Sequence, residues 1–174
     1  MKISSFLIAP LVCGSFVYAQ KPQPSSSADA TFVQHASEGG MAEVQLGQLA
    51  QQKGTNPAVK NFGARMVMDH SKGNDQLKAI ATQKGLATAT AVNSKDQALY
   101  NKLNSESGSQ FDMDYINAMI ADHKEDIAEF EKEANSGQDP DVKKFAMDTL
   151  PTLREHLKMA ETAQMELQRG RKGE

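Results

Sequence analysis

A nine-residue segment that occurs twice constrains the fold of this 174-residue chain more than any other feature. GTNPAVKNF at residues 54–62 recurs as GQDPDVKKF at residues 137–145. In each copy a glycine is followed by Asn-Pro or Asp-Pro, which is typical of one helix ending and the next beginning with a capping residue and a proline. The repeat therefore predicts two related helical hairpins that face each other about a pseudo-two-fold axis.

Around these turns, apolar residues recur with the spacing of amphipathic helices, and no segment alternates as a strand does. We predict an all-α fold, a four-helix bundle built from two helical hairpins. Pro151 falls inside the fourth helix and predicts a bend there. The predicted helices A, B, C and D cover roughly residues 29–53, 57–84, 110–134 and 140–168.

The connection between helices B and C is long, running from Gly85 to Ser109. A connection of this length can cross the whole bundle, which would leave helices B and C parallel. Within it, Ser94 is a candidate cap and Leu99 and Leu103 form an apolar pair. These residues indicate a short additional helix.

The N-terminus has the pattern of an export signal. Lys2 precedes an uncharged, largely apolar run that ends in Val-Tyr-Ala at Ala19, where a signal peptidase would cut. We therefore expect an exported protein, located in the periplasm or outside the cell. The predicted organisation is a signal peptide at 1–19, a Pro/Ser/Gln-rich linker at 20–29, the bundle at 30–168 and a flexible tail at 169–174.

Charge and cysteine content exclude several classes of function. Loss of residues 1–19 would remove Lys2 and the single cysteine, Cys13, leaving 18 basic residues against 22 acidic ones. Disulfides and thiol chemistry would then be absent. The mild negative charge gives no electrostatic basis for binding nucleic acid, and no stretch of the mature chain predicts a membrane span. The sequence does not fix the oligomeric state.

Each predicted helix carries one histidine, and three of the four fall on inward-facing positions near the middle of the bundle. Residues equidistant from a hairpin turn lie at one level, so these histidines and two carboxylates are expected to converge. His35 lies toward the end of the bundle and is left out. The candidate metal ligands are Glu43, His70, His123, Asp126 and His156, with Asp69 and Glu155 predicted to orient the imidazoles.

Two interpretations of this cluster stay open from the residues alone. Neutral imidazoles and carboxylates are ligands for a transition-metal ion such as zinc, copper or iron, and a small ligand is another possible occupant. Alternatively, the cluster is a self-satisfied polar layer that only fixes helix packing in a structural or stress-related envelope protein. Proton-transfer catalysis is a third, weaker interpretation.

Three segments resemble a known family: GGMAEVQLGQLAQQKGTNPAVKNFGARMVMDH, FDMDYINAMIADH and LPTLREHLKMA. They are similar to exported bacterial proteins of the domain-of-unknown-function family numbered 4142, often labelled outer membrane proteins. The resemblance spans nearly all of residues 30–165. It implies a ferritin-like four-helix bundle, an exported location and no established activity. The family's motif positions correspond to Glu43, Asp69, His70, His123 and His156.

The sequence departs from the ligand plan of ferritin-like di-iron proteins, in which two helices carry Glu-x-x-His. Helix C has His123-x-x-Asp126 instead, and neither helix B nor helix D has Glu-x-x-His. Ferroxidase or oxygenase chemistry is therefore disfavoured. Nucleophile and phosphate-binding motifs are also absent from the sequence. We predict a protein that is more plausibly a non-enzymatic binder than an enzyme.

Overall fold

The structure, a computed structural model, describes residues 27–172, which form five α-helices and contain no strand. The all-α prediction is confirmed. Residues 1–26, which include the predicted signal peptide and most of the predicted linker, lie outside the described part of the chain. The helices are α1 (Ser27–Lys53), α2 (Pro57–Lys84), α3 (Ser94–Ser105), α4 (Gly108–Ser136) and α5 (Pro140–Lys172).

The helix ends follow the signals in the sequence with small differences. Asn56 caps the start of α2 by accepting a hydrogen bond from the Ala58 N–H at 2.8 Å. Gly85 follows the last residue of α2 and has a φ of 67°, a left-handed conformation that favours glycine. The short helix α3 exists, but its cap is Asn93, which accepts from the Asp96 N–H. Ser94, the predicted cap, is the first helical residue. α1 starts within the predicted linker, and α5 passes through Pro151 and continues into the predicted tail.

The four long helices lie side by side. α1 packs on α2, α4 packs on α5, and the two pairs meet through α2 with α5 and α1 with α4, while α3 lies on α1 and α4. The α1–α2 contact is close because Gly47 and Gly63 face each other. A Cβ atom on either glycine would lie 2.7 Å from the carbonyl oxygen of the other, so only glycine permits this approach.

Each hairpin turn is held by an aspartate from the other hairpin. Asp112, near the start of α4, accepts hydrogen bonds from the backbone N–H groups of Thr55 and Asn56 in the α1–α2 turn. Asp29, near the start of α1, accepts from Gln138 and Asp139 in the α4–α5 turn. The two aspartates are 83 residues apart, which is the spacing of the repeated segments. This reciprocal arrangement is the one expected when two hairpins are related by a pseudo-two-fold axis.

These contacts also fix the helix directions. α4 begins beside the turn from which α2 begins, so the two helices run parallel, as the long connection predicted. That connection returns along α1: Ala89 donates its N–H to the Ser37 hydroxyl at 2.8 Å, and Lys53 contacts the Asn104 carbonyl oxygen. Leu103 from α3 is fully buried and Leu99 packs beside it.

The apolar core is divided into two clusters. The first apolar cluster surrounds the α1–α2 turn and includes Leu46, Met66, Ile120 and Ala160. The second apolar cluster surrounds the α4–α5 turn and includes Val33, Leu77, Phe130 and Leu153. On every long helix the chain passes from one cluster to the other across a short polar interval, and these intervals hold the candidate site residues.

A buried acid near the α4–α5 turn predicts a pH dependence of stability. Burial, a hydrogen bond with Asp29 and the negative charge there raise the pKa of Glu133 from 4.5 to about 7. Between these values the folded protein keeps a proton that the unfolded chain has released, so this contribution to stability is lost as the pH rises from about 5 to 8. We expect Glu133→Gln to increase stability relative to the native protein by about 1–2 kcal/mol at pH 8 and by much less at pH 5.

Denaturant unfolding of both proteins at several pH values measures the difference between their free energies of unfolding. Groups that titrate in the same way in both proteins do not contribute to this difference. Glu131→Gln is the control, because Glu131 is an exposed partner of Arg154. A native-minus-variant difference that stays constant from pH 5 to 8 would contradict the prediction.

Across the described helices, none is long and apolar enough to cross a membrane.

Candidate metal site

The candidate site lies between the two apolar clusters, where each long helix contributes one side chain that is buried or, for His70, 11% exposed. Glu43 comes from α1, His70 from α2, His123 from α4 and His156 from α5. His123 and His156 are completely buried and Glu43 is 1% exposed. We call these four residues the central cluster.

The outer nitrogen of His123 is fixed by its own helix. Its Nδ1 lies 3.0 Å from the Met119 carbonyl oxygen, and because a carbonyl only accepts, Nδ1 carries the hydrogen. Burial and the neighbouring imidazoles lower the pKa of His123 to about 3. The ring is therefore neutral at ordinary pH, and its Nε2 presents a lone pair to the interior.

His156 is oriented in the same way by a carboxylate. Its Nε2 donates to Asp69 Oδ2 at 2.8 Å, and Arg65 also donates to Asp69. Although burial alone would raise the pKa of Asp69, the hydrogen bonds from His156 and Arg65 lower it below its usual value. Burial lowers the pKa of His156. This ring is also neutral, and its Nδ1 faces inward.

The inward nitrogens of these two rings face each other without a proton between them. His123 Nε2 and His156 Nδ1 are 3.3 Å apart, yet both are acceptors once their outer nitrogens hold the hydrogens. Two lone pairs at this distance repel each other unless a cation lies between them. In a tetrahedral zinc site with Zn–N distances of 2.0–2.1 Å, two ligand nitrogens are about 3.3 Å apart. The observed separation fits that geometry.

His70 supplies the third inward nitrogen. Its Nδ1 lies 2.7 Å from Glu43 Oε2, and its Nε2 is buried without a hydrogen-bond partner among the described residues. Burial lowers the pKa of His70 to about 4. One ring nitrogen from each of His70, His123 and His156 lies within 4.8 Å of the other two. Three neutral imidazoles thus converge, with the outer nitrogens occupied by hydrogen bonds.

Glu43 is the acid at the edge of the three imidazoles. Burial, and then the charge of Asp122, raise the pKa of Glu43 well above its usual value. Its Oε1 lies 3.5 Å from His123 Nε2 and has no hydrogen-bond partner in the described part of the chain. A buried carboxyl oxygen without a donor is costly, and a bound cation would remove that cost.

The structure brings together four of the five predicted ligands. Asp126 is the exception: the second group of potential ligand atoms consists of Glu43, Asp122 and His123. The repeat pairs Asp126 with Glu43, but Asp122, one helical turn earlier, is the carboxylate that lies within 4.8 Å of both Glu43 and His123. Burial, followed by the charge of Glu43, raises the pKa of Asp126 well above its usual value.

One of the two predicted supporting residues contacts an imidazole. Asp69 orients His156, which lies on α5. Glu155 does not contact an imidazole; it is 56% exposed and lies 3.8 Å from Arg65. The Met119 carbonyl oxygen and Arg65 were not predicted. Both precede their partners by four residues, a spacing that places them on the same helix face.

The excluded histidine lies apart from the central cluster. His35 is 55% exposed, and its Nδ1 lies 3.0 Å from Glu129 Oε1. It therefore serves as an internal control for the other three.

Comparison with known proteins gives a family and a fold. The family model described as "Domain of unknown function (DUF4142)" matches residues 17–163. No curated protein matches the chain. The crystal structure of a DUF305 fragment from Deinococcus radiodurans superposes with a TM-score of 0.74, at 15% identity, covering 83% of this chain and 99% of that chain. At this identity the likeness shows the fold alone.

Proposed function

We propose that this chain, which belongs to the DUF4142 family, is an exported helical protein that binds one transition-metal ion through His70, His123 and His156. The architecture we propose is the ferritin-like four-helix bundle, with α3 as an addition in the long connection. The pairing of α1 with α2 and of α4 with α5, and the contacts between the pairs, support it. Export rests on the sequence of residues 1–19.

One observation carries the metal proposal: three neutral imidazoles each bring one ring nitrogen within 4.8 Å of the other two in a buried site. A self-satisfied polar layer would place a donor against each acceptor. Here His70 Nε2 and Glu43 Oε1 have no partner among the described residues, and His123 Nε2 faces His156 Nδ1. A cation bound by the three nitrogens removes the conflict between them, and Glu43 Oε1 gains a partner when a carboxylate oxygen is the fourth ligand.

The donor set favours zinc over the alternatives of copper and iron. Three imidazole nitrogens, with a carboxylate oxygen or water as the fourth ligand, suit tetrahedral Zn²⁺. The ligand atoms that converge are imidazole nitrogens and carboxylate oxygens, whereas Cu(I) prefers soft sulfur ligands. Asp69, the Met119 carbonyl oxygen and Glu43 hold the outer nitrogens in the orientation that metal binding needs.

The proposal is tested by Co²⁺ titration of metal-free protein without a metal-chelating tag, followed by displacement with Zn²⁺. Tetrahedral Co²⁺ has a strong visible absorption, so the spectrum reports the geometry as well as the stoichiometry. We expect one equivalent per chain in the native protein. His123→Leu should weaken metal binding more than about 100-fold. Loss of a residue that only orients a ligand lowers metal affinity by about 10–100-fold, and loss of the ligand itself should lower it further.

His35→Leu is the matched control and is expected to bind as the native protein does. Absence of saturable Co²⁺ or Zn²⁺ binding in the native protein, or equal loss in the two variants, would refute the proposal. Elemental analysis of the protein purified from its exported fraction identifies the ion that it carries in the cell.

A further inference from the structure

The side of the central cluster formed by α1, α3 and α4 is strongly acidic. Asp122 and Asp126 lie one helical turn apart on α4, and Asp96 of α3 is close enough that, after burial, its charge raises the pKa of both. Lys95 is nearby, but its ammonium group is paired with Glu125 at 2.9 Å. We call this region the acidic face, formed by Glu38, Asp96, Asp122, Glu125 and Asp126.

Glu43 connects the acidic face to the three imidazoles. Its carboxyl group is 99% buried, one oxygen is bound to His70, and the other has no hydrogen-bond partner within residues 27–172. One oxygen of Glu43, one oxygen of Asp122 and one ring nitrogen of His123 all lie within 4.8 Å of one another. Asp122 is only partly buried, whereas His123 is completely buried. Potential ligands therefore continue from the surface to the interior.

We propose that Asp122 and Glu43 form a loading subsite, at which a divalent cation binds through carboxylate oxygens before it passes to the three histidine nitrogens. The inference rests on the proposed function, because the ion's destination is the central cluster. His123 belongs to both groups of ligand atoms, and Glu43 lies beside the first group, with its Oε2 2.7 Å from His70 Nδ1. An ion can therefore exchange water and oxygen ligands for nitrogen one at a time, without crossing an apolar barrier.

The other side of the central cluster is less suited to this role. A groove of about 530 Å³ lies between α2 and α5, and Asp69, Lys72, Lys144 and Asp148 are among its lining residues. Asp69 separates this groove from His156, and its carboxylate already accepts from both His156 and Arg65. A cation arriving here would meet two lysines and a carboxylate that is already paired.

The test is a stopped-flow measurement of Co²⁺ loading into the metal-free full protein, with release measured separately in excess chelator. Asp122→Asn keeps the shape of the side chain and removes its charge. We expect loading to slow about tenfold, within the range over which a charged cleft raises association rates, and release to slow by a similar factor. Raising the salt concentration should slow loading of the native protein more than loading of the variant.

Asp148→Asn, in the α2–α5 groove, is the matched control and is expected to load at the native rate. Native loading by Asp122→Asn would overturn the loading subsite, and slowing by Asp148→Asn alone would place the route in the groove instead. In both cases the native protein would still bind one equivalent of Co²⁺ in the equilibrium titration. Failure of the proposed function is distinct, because the native protein would then bind no Co²⁺ at all.

Discussion

A variant with leucine at Glu43, His70, His123 and His156 is expected to stay folded and to lose all measurable zinc binding. Two partners remain: Asp69 keeps its contact with Arg65, and the Met119 carbonyl oxygen is a backbone acceptor within α4. Replacing a buried set of polar groups by apolar side chains of similar size is often neutral or stabilising by about 1–4 kcal/mol. The two apolar clusters that flank these residues would then join into one core.

Zinc-dependent unfolding measures the effect. With free zinc at about 100 times its dissociation constant, the native protein should gain about 2.7 kcal/mol of stability, because the ion binds only the folded state. The variant should gain nothing, and its unfolding midpoint should be independent of zinc. Equal stabilisation of both proteins by zinc would contradict this expectation, because zinc would then bind at a site outside the central cluster.

Asp112→Ala is expected to destabilise the protein by about 2–3 kcal/mol. The Asp112 carboxylate is 1% exposed and accepts from the Thr55 N–H, the Asn56 N–H and the Thr55 hydroxyl. Its removal leaves three donors of the α1–α2 turn without their partner, and a partly buried unpaired donor costs roughly 1 kcal/mol or more. The variant also loses the attachment of that turn to α4.

Urea unfolding of Asp112→Ala beside Asp148→Ala separates this effect from the general loss of an acid. Asp148 is exposed and pairs only with Lys144 of its own helix, so its removal should change stability by less than about 0.5 kcal/mol. If both variants unfolded at the native midpoint, the Asp112 contacts would not be holding the turn.

The sequence was sufficient to predict the helices and the level of the site. Counting residues from each hairpin turn places Glu43 near His70 and His123 near His156, because the helical rise is constant. The same repeat also relates Asp29 to Asp112. This signal was available in the sequence, and only the structure showed that each aspartate holds the opposite turn.

The exact ligand set could not be predicted in the same way. At the 83-residue offset of the repeat, the position equivalent to His123 is Gly40, the position equivalent to His156 is Gly73, and the position equivalent to His70 is Leu153. The site is therefore asymmetric. Symmetry points to Asp126 as the partner of Glu43, whereas the group of ligand atoms that contains Glu43 and His123 is completed by Asp122. Which carboxylate completes such a group depends on small rotations of α4 against α1. The contact of Asp69 with His156 depends on packing between α2 and α5.

The reciprocal contacts of Asp29 and Asp112 make the chain comparable to a dimer whose two subunits are joined covalently. Each hairpin turn has backbone N–H groups that donate to an aspartate of the other hairpin, so neither half has all its backbone partners until both have formed. The long connection holds the halves at a high effective concentration. Folding of one half is thereby coupled to folding of the other, and the central cluster, which draws residues from both, is completed only in the last step of their assembly.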